Sequence, residues 1–219
     1  MRCIKKILGE RDRNTFAAVG IGTMIIFIAM ILIAGIAASV MLQTMDSLQS
    51  QAMKTGSESI DEISSGVKVT YVSGYQLNGK IDRLAVMISP ISGSADVDLS
   101  MAIIQISNNE KQVYCTYNQS MFSTSIGSSV FQTLIPDVLN PDEFGIIVIR
   151  DNDGSCTAST PVITQNDLVV LMLNTTKSFS GLSPRVDILG KVTPEFGLSG
   201  IIRFSTPSNF VDTIIELQP

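Results

Sequence analysis

Carboxylates are the first side chains in this sequence that could do chemistry, and their spacing indicates which kind. Asp151-Asn152-Asp153-Gly154-Ser155 sets oxygen donors at alternate positions ahead of a glycine, like the opening of a calcium loop. Asp151 and Asp153 are therefore the metal candidates, and Ca2+ is the only cofactor in view. Position twelve of such a loop falls on Val162, which has no carboxylate to offer, and a plain turn between strands fits the same residues. The adjacent acids Asp61 and Glu62, and Asp142 and Glu143, stand outside any apolar stretch and read as solvated surface. The chain has no histidine, which removes the commonest general base and the commonest zinc ligand together. Its glycines form neither a phosphate-binding loop nor a strand-to-helix nucleophile turn. No catalytic residue is assigned, and an enzyme is not expected.

Two further kinds of chemistry are covalent. Of the cysteines Cys3, Cys115 and Cys156, the last two lie among polar residues and are candidates for a disulfide, with two unpaired buried thiols as the alternative. Asn118-Gln119-Ser120 and Asn174-Thr175-Thr176 are sequons, making Asn118 and Asn174 candidate N-glycosylation sites if they face the outside of a cell.

The elements that carry these residues follow from charge and periodicity. No charged residue occurs from Asn14 to Met45, and the apolar centre of that run is Gly20 to Leu42. A membrane-spanning helix needs about 20 such residues. Helical spacing continues to about residue 62, so 18–62 is expected to form one helix. Some 40 residues at 1.5 Å each make roughly 60 Å, about twice what a bilayer requires. Residues 1–17 carry five basic and two acidic side chains, whereas the rest carries ten basic and eighteen acidic. A basic flank before an apolar helix holds that end in the cytoplasm, which puts the acidic remainder outside. A body so acidic is not a nucleic-acid binder.

From Gly66 the pattern changes to alternation, as in Val67, Val69 and Tyr71 against Lys68 and Thr70. About eight short apolar runs follow, separated by turn residues, with Asn78-Gly79 as a hairpin signal and no helical period among them. The fold class expected is α+β: a long apolar N-terminal helix, then an all-β antiparallel sandwich, Ig-like, over 66–219.

Along the helix, small residues recur four apart, Ala34 with Ala38 and Gly35 with Ser39, and Gly20 and Gly22 stand near its start. Such spacing lets helices approach closely where lipid supplies no hydrophobic drive. A helix apolar all round must be buried in lipid or in other helices. The stretch AAVGIGTMIIFIAMILIAGIAASVMLQT, Ala17 to Thr44, resembles the start of archaeal flagellins, with their GIGT and FIAM signatures. Asp167 to Phe210 is similar to the family's closing strands, marked by Leu182-Ser183-Pro184-Arg185 and Thr193-Pro194-Glu195-Phe196-Gly197.

The resemblance implies a class III, type-IV-pilin-like signal peptide, residues 1–17, cut between Ala17 and Ala18 by a prepilin-type peptidase on the cytoplasmic side. Ala17 stands where the family usually has glycine, and Thr15 and Phe16 where charges are usual, so cuts after Phe16 or Gly9 stay open. The resemblance further implies a precursor in the cell membrane, then an extracellular filament for swimming, built of this chain alone or with sister flagellins. Its core would be the helices and its exterior the β-domains, with glycosylation as is usual for the family. An adhesive pilus subunit and a monomeric membrane-anchored surface protein are the competing readings.

Overall fold

The structure, a computed structural model of the chain, describes residues 2–134 and 138–219, with side chains from residue 19 onward. It divides into two units, Met1–Gly56 and Ser57–Pro219. Helix α1 runs from Arg2 to Ser64. No proline precedes Pro90, so nothing removes a backbone donor along α1. The helix exceeds its expected end at residue 62 by two residues. At that end the Ser65 N–H closes the last turn on the Asp61 carbonyl at 2.9 Å.

In the second unit, strands β1 (Val67–Leu77), β2 (Lys80–Pro90), β4 (Ile103–Ser107), β5 (Gln112–Ser123), β6 (Glu143–Arg150), β8 (Leu168–Asn174), β9 (Asp187–Thr193), β10 (Gly200–Ser205) and β11 (Ile214–Gln218) form one sheet. Its order is β10-β9-β4-β5-β6-β8-β2-β1-β11. Two short strands, β3 (Val97–Asp98) and β7 (Val162–Ile163), pair separately. The two edges of the large sheet come together, since the Arg203 N–H of β10 donates to Gln218 Oε1 of β11 at 2.9 Å. The β-domain expected from the sequence is thus a single curled sheet wrapped around one core, which includes Phe144, Ile104, Leu84, Ile88, Leu171 and Ile202.

One detail departs from an all-antiparallel arrangement: β5 and β6 run parallel. A parallel pair needs a crossover of a dozen or more residues. Residues 124–142 supply it, carrying the short helix α2 (Val130–Thr133). Met121, Phe131, Leu134 and Leu139 close over Ala85, Ile147, Val170 and Met172 as a second cluster on the outer face. Strand β8 is accordingly buried on both sides and reads LVVLML without alternation. A second short helix, α3 (Thr175–Phe179), follows it, and neither helix is long enough to show a period in sequence. The Asn78-Gly79 turn joins β1 to β2 with φ of 53° and 77°, the left-handed pair of a tight hairpin.

The Thr193-to-Gly197 motif has a structural task. It brings Leu198 against the junction of α1 and β1, where the Leu198 N–H donates to Ser65 O at 2.8 Å and the Val67 N–H to Leu198 O at 3.0 Å. Gly197 has φ of 94°, and a Cβ placed there would lie 2.4 Å from the Ser65 carbonyl oxygen. Both the backbone conformation and the space exclude a side chain. Gly197→Ala is therefore expected to cost about 1–3 kcal/mol or more. That should lower the melting temperature of the full chain in detergent by roughly 2–10 °C. An unchanged melt followed by circular dichroism would refute the clamp.

Candidate assembly helix and outer-domain sites

Large apolar side chains stay exposed along the whole described part of α1, from Val19 through Ile28, Ile36, Leu42 and Leu48 to Ile63. Val19–Ser64 is long and apolar enough to cross a membrane, with a mean hydropathy of 2.9 in its most apolar window. Near 25 cal/mol per Å2 of apolar surface, such a helix is strongly driven out of water. Around Gly20, Gly22 and Gly35 there is nothing within 4 Å of the place a Cβ would occupy, so each leaves a shallow notch on an uncovered helix. Ala34, Ala38 and Ser39 are exposed on the same element. Among the described residues nothing fills these notches. The expected cut, Ala17 to Ala18, lies outside the residues whose side chains are described.

The acidic loop folds as a set of carboxylates, and the sequence expectation is incomplete. Asp151 and Asp153 are joined by Asp167, each offering an oxygen within 4.8 Å of the others. Asp167 is fully buried at the start of β8. Its Oδ2 accepts from the Thr164 N–H at 2.8 Å and the Thr164 hydroxyl at 2.9 Å, and its Oδ1 from the Asn152 N–H at 3.4 Å. Asp151 Oδ1 accepts from the Gly154 N–H at 2.7 Å, and Oδ2 from the Cys156 N–H at 3.1 Å. The loop is thus held by its own backbone donors, and the three acids are also the residues that could hold a hard cation. Asp153 titrates at about 2, because hydrogen bonds from Ser155 and then from Thr164 favour its charged form. A depressed carboxylate pKa contributes stability above its ordinary value near 4 and loses it as pH falls toward 2. Asp167 was invisible to a local motif, since it enters the cluster from 14 residues beyond Asp153.

The cysteines correct the expected disulfide. Cys115 and Cys156 are free thiols, both buried in the main core. Tyr114 and Thr116 are polar because they point outward, and Cys115 between them points inward, as strand alternation requires. Burial pushes both thiols up to about 12, with Asp142 adding to the effect at Cys115, and Asp151 and Asp167 at Cys156. Thiol reagents attack the thiolate. A maleimide at pH 8 should accordingly label neither residue in the native subunit and both after denaturation. Native labelling of either, or an 115–156 linked peptide under non-reducing conditions, would contradict this arrangement.

The two sequons part company. Asn174 is buried, and its Oδ1 caps α3 by accepting from the Lys177 N–H at 3.0 Å, so this candidate is corrected to a structural cap. Asn118 is half-buried on β5, where its amide donates to Glu143 Oε2 at 2.7 Å. Hydrogen bonds from Asn140, and then that from Asn118, hold the Glu143 carboxyl below its usual range.

The archaeal-type flagellin family model matches residues 17–204. The chain belongs to the archaeal-type flagellin family. It is 42% identical to flagellin B2 of Methanocaldococcus jannaschii over the full length of both chains. The crystal structure of archaeal flagellin FlaB1 from the same organism superposes with a TM-score of 0.65 at 30% identity, covering 70% of this chain and 97% of that one. The archaeal flagellum of Methanospirillum hungatei gives a TM-score of 0.63, covering 90% of this chain and 98% of that one. At 13% identity that likeness concerns the fold alone, helix included. A flagellin is a structural filament subunit and not an enzyme.

Proposed function

We propose that this flagellin waits in the cell membrane on α1 and then polymerises through it into the core of an archaeal flagellum filament, with the β-domain forming the exterior. The observation that carries this reading is the exposed apolar length of Val19–Ser64, which stays uncovered among the described residues. A bilayer and a bundle of like helices are both dry, so transfer between them costs little desolvation. The gain on assembly is close packing at Ala34, Gly35, Ala38 and Ser39, which lipid chains match poorly. A prepilin-type peptidase acting between Ala17 and Ala18 is the partner that frees the helix from its basic leader. Sister flagellins can share the polymer where their helix surfaces agree. Asn118 is the position left for a glycan, at the expense of its bond to Glu143.

Electron microscopy of filaments sheared from cells, with mass spectrometry of their subunit, tests the reading. Filaments containing this chain from residue 18 onward are expected. A chain recovered only from membranes, as an uncut monomer, would instead support the anchored surface protein.

A further inference from the structure

The curled sheet is covered unevenly on its outside. Over β6, β8 and β2 the crossover and α2 seal the outer face, but over β10, β9, β4 and β5 no segment among the described residues does so. Registered pairs place Ile201, Lys191, Gln105 and Tyr114 in one row across these strands, and Arg203, Leu189, Ser107 and Gln112 in the next. Ile103 lies on the same face in a third row, opposite Thr116. Ile103, Tyr114, Leu189 and Ile201 are 43% to 69% exposed, two apolar pairs set among polar and cationic neighbours. Lys191 and Arg203 stand among them, and among the described residues neither forms an ion pair. The one acid of the face, Asp187, lies at its end and takes the Ser205 hydroxyl.

Elsewhere on the same unit is a surface of opposite character. A groove of about 660 Å3 is lined by Glu58, Asp61, Glu62, Asp96, Asp98 and Glu195, with no basic side chain in its wall. Phe196 stands beside Glu195 at its rim, 66% exposed. One surface thus presents apolar groups around two cations, and the other six carboxylates around an aromatic ring. We propose that the β10-β9-β4-β5 face of one subunit docks against this acidic groove on a second copy of the same chain.

The contact joins two different patches, so it leaves a free face and a free groove at either end and propagates as a helical polymer wherever the rotation between subunits does not close a ring. It rests on the reading of the chain as a filament subunit, and adds a contact between outer domains to the one between helices. A zero-length carbodiimide, which joins an amine to a carboxylate in direct contact, tests it on sheared wild-type filaments. The expected product is a covalent dimer whose linked peptide joins Lys191 to a residue among Glu58, Asp61, Glu62, Asp96 and Asp98. Lys191→Arg keeps the charge and removes the amine, so filament number should stay normal while that peptide disappears. Charge reversal, Lys191→Glu with Arg203→Glu, should reduce filaments at least tenfold, and adding Glu62→Lys with Glu195→Lys should restore them. Filaments from the reversed variant at wild-type number, or wild-type filaments without the linked peptide, would overturn the contact while leaving assembly through α1 intact. Failure of the wild-type chain to polymerise at all would instead overturn the filament reading.

Discussion

Replacing Gly35 or Ala38 by leucine is expected to leave the subunit folded and inserted in the membrane, yet to abolish filaments. Among the described residues nothing lies within 4 Å of a Cβ at Gly35, so a larger side chain meets no obstacle there. Leucine is also the better helix former, by roughly 1 kcal/mol over glycine, so the isolated helix gains a little. Against that gain stands overpacking at a close helix contact, which typically costs about 1–3 kcal/mol. A central helix touches several others, so each subunit meets that cost more than once and assembly loses. Filament counts by electron microscopy, with membrane extraction to confirm insertion, separate the two effects. Normal filament numbers in both variants would show that these positions do not face a neighbouring helix.

The parts of this molecule legible in its sequence were those set by local pattern. The charge-free run from Asn14 to Met45 had one physical solution, a helix without a polar face, and α1 is that helix. Asn78-Gly79 defined its turn because few residue pairs accept two left-handed conformations. What escaped was decided by contacts distant in sequence. The parallel pairing of β5 with β6 depends on a crossover whose path is set by the cluster it covers. Asp167 joins Asp151 and Asp153 only once β7 and β8 are placed. Asn174 looked like an exposed sequon, but it ends a strand buried on both faces, so its side chain had to find a partner inside and found the first turn of α3. The polar neighbours of Cys115 suggested a disulfide, but on a strand they mark the cysteine between them as facing inward.

The second large effect concerns the leader, for which we expect a cut between Ala17 and Ala18 and a filament subunit beginning AVGIGTM. Ordinary secretory signals lose their apolar segment on cleavage. In the proposed reading the apolar segment is the assembly element, and the family match begins at Ala17, immediately ahead of it. Helix α1 runs from Arg2 without a break, so the backbone gives the leader no separate fold of its own. Left in place, Arg2, Lys5, Lys6, Arg11 and Arg13 against Glu10 and Asp12 would carry a net charge of +3 into a dry bundle. Burial of unpaired charge costs far more than close helix packing returns. Removing residues 1–17 leaves ten basic and eighteen acidic side chains, a net charge of −8, all of it beyond the apolar run. The need for a cut therefore follows from electrostatics, while its register follows from the family. Ala17→Arg should block the peptidase, leaving full-length precursor in the membrane and no filaments. Intact-mass analysis of assembled subunits decides the matter: a mass retaining Arg2 to Arg13 would mean that the bundle tolerates the leader, and the electrostatic argument for cleavage would fail with it.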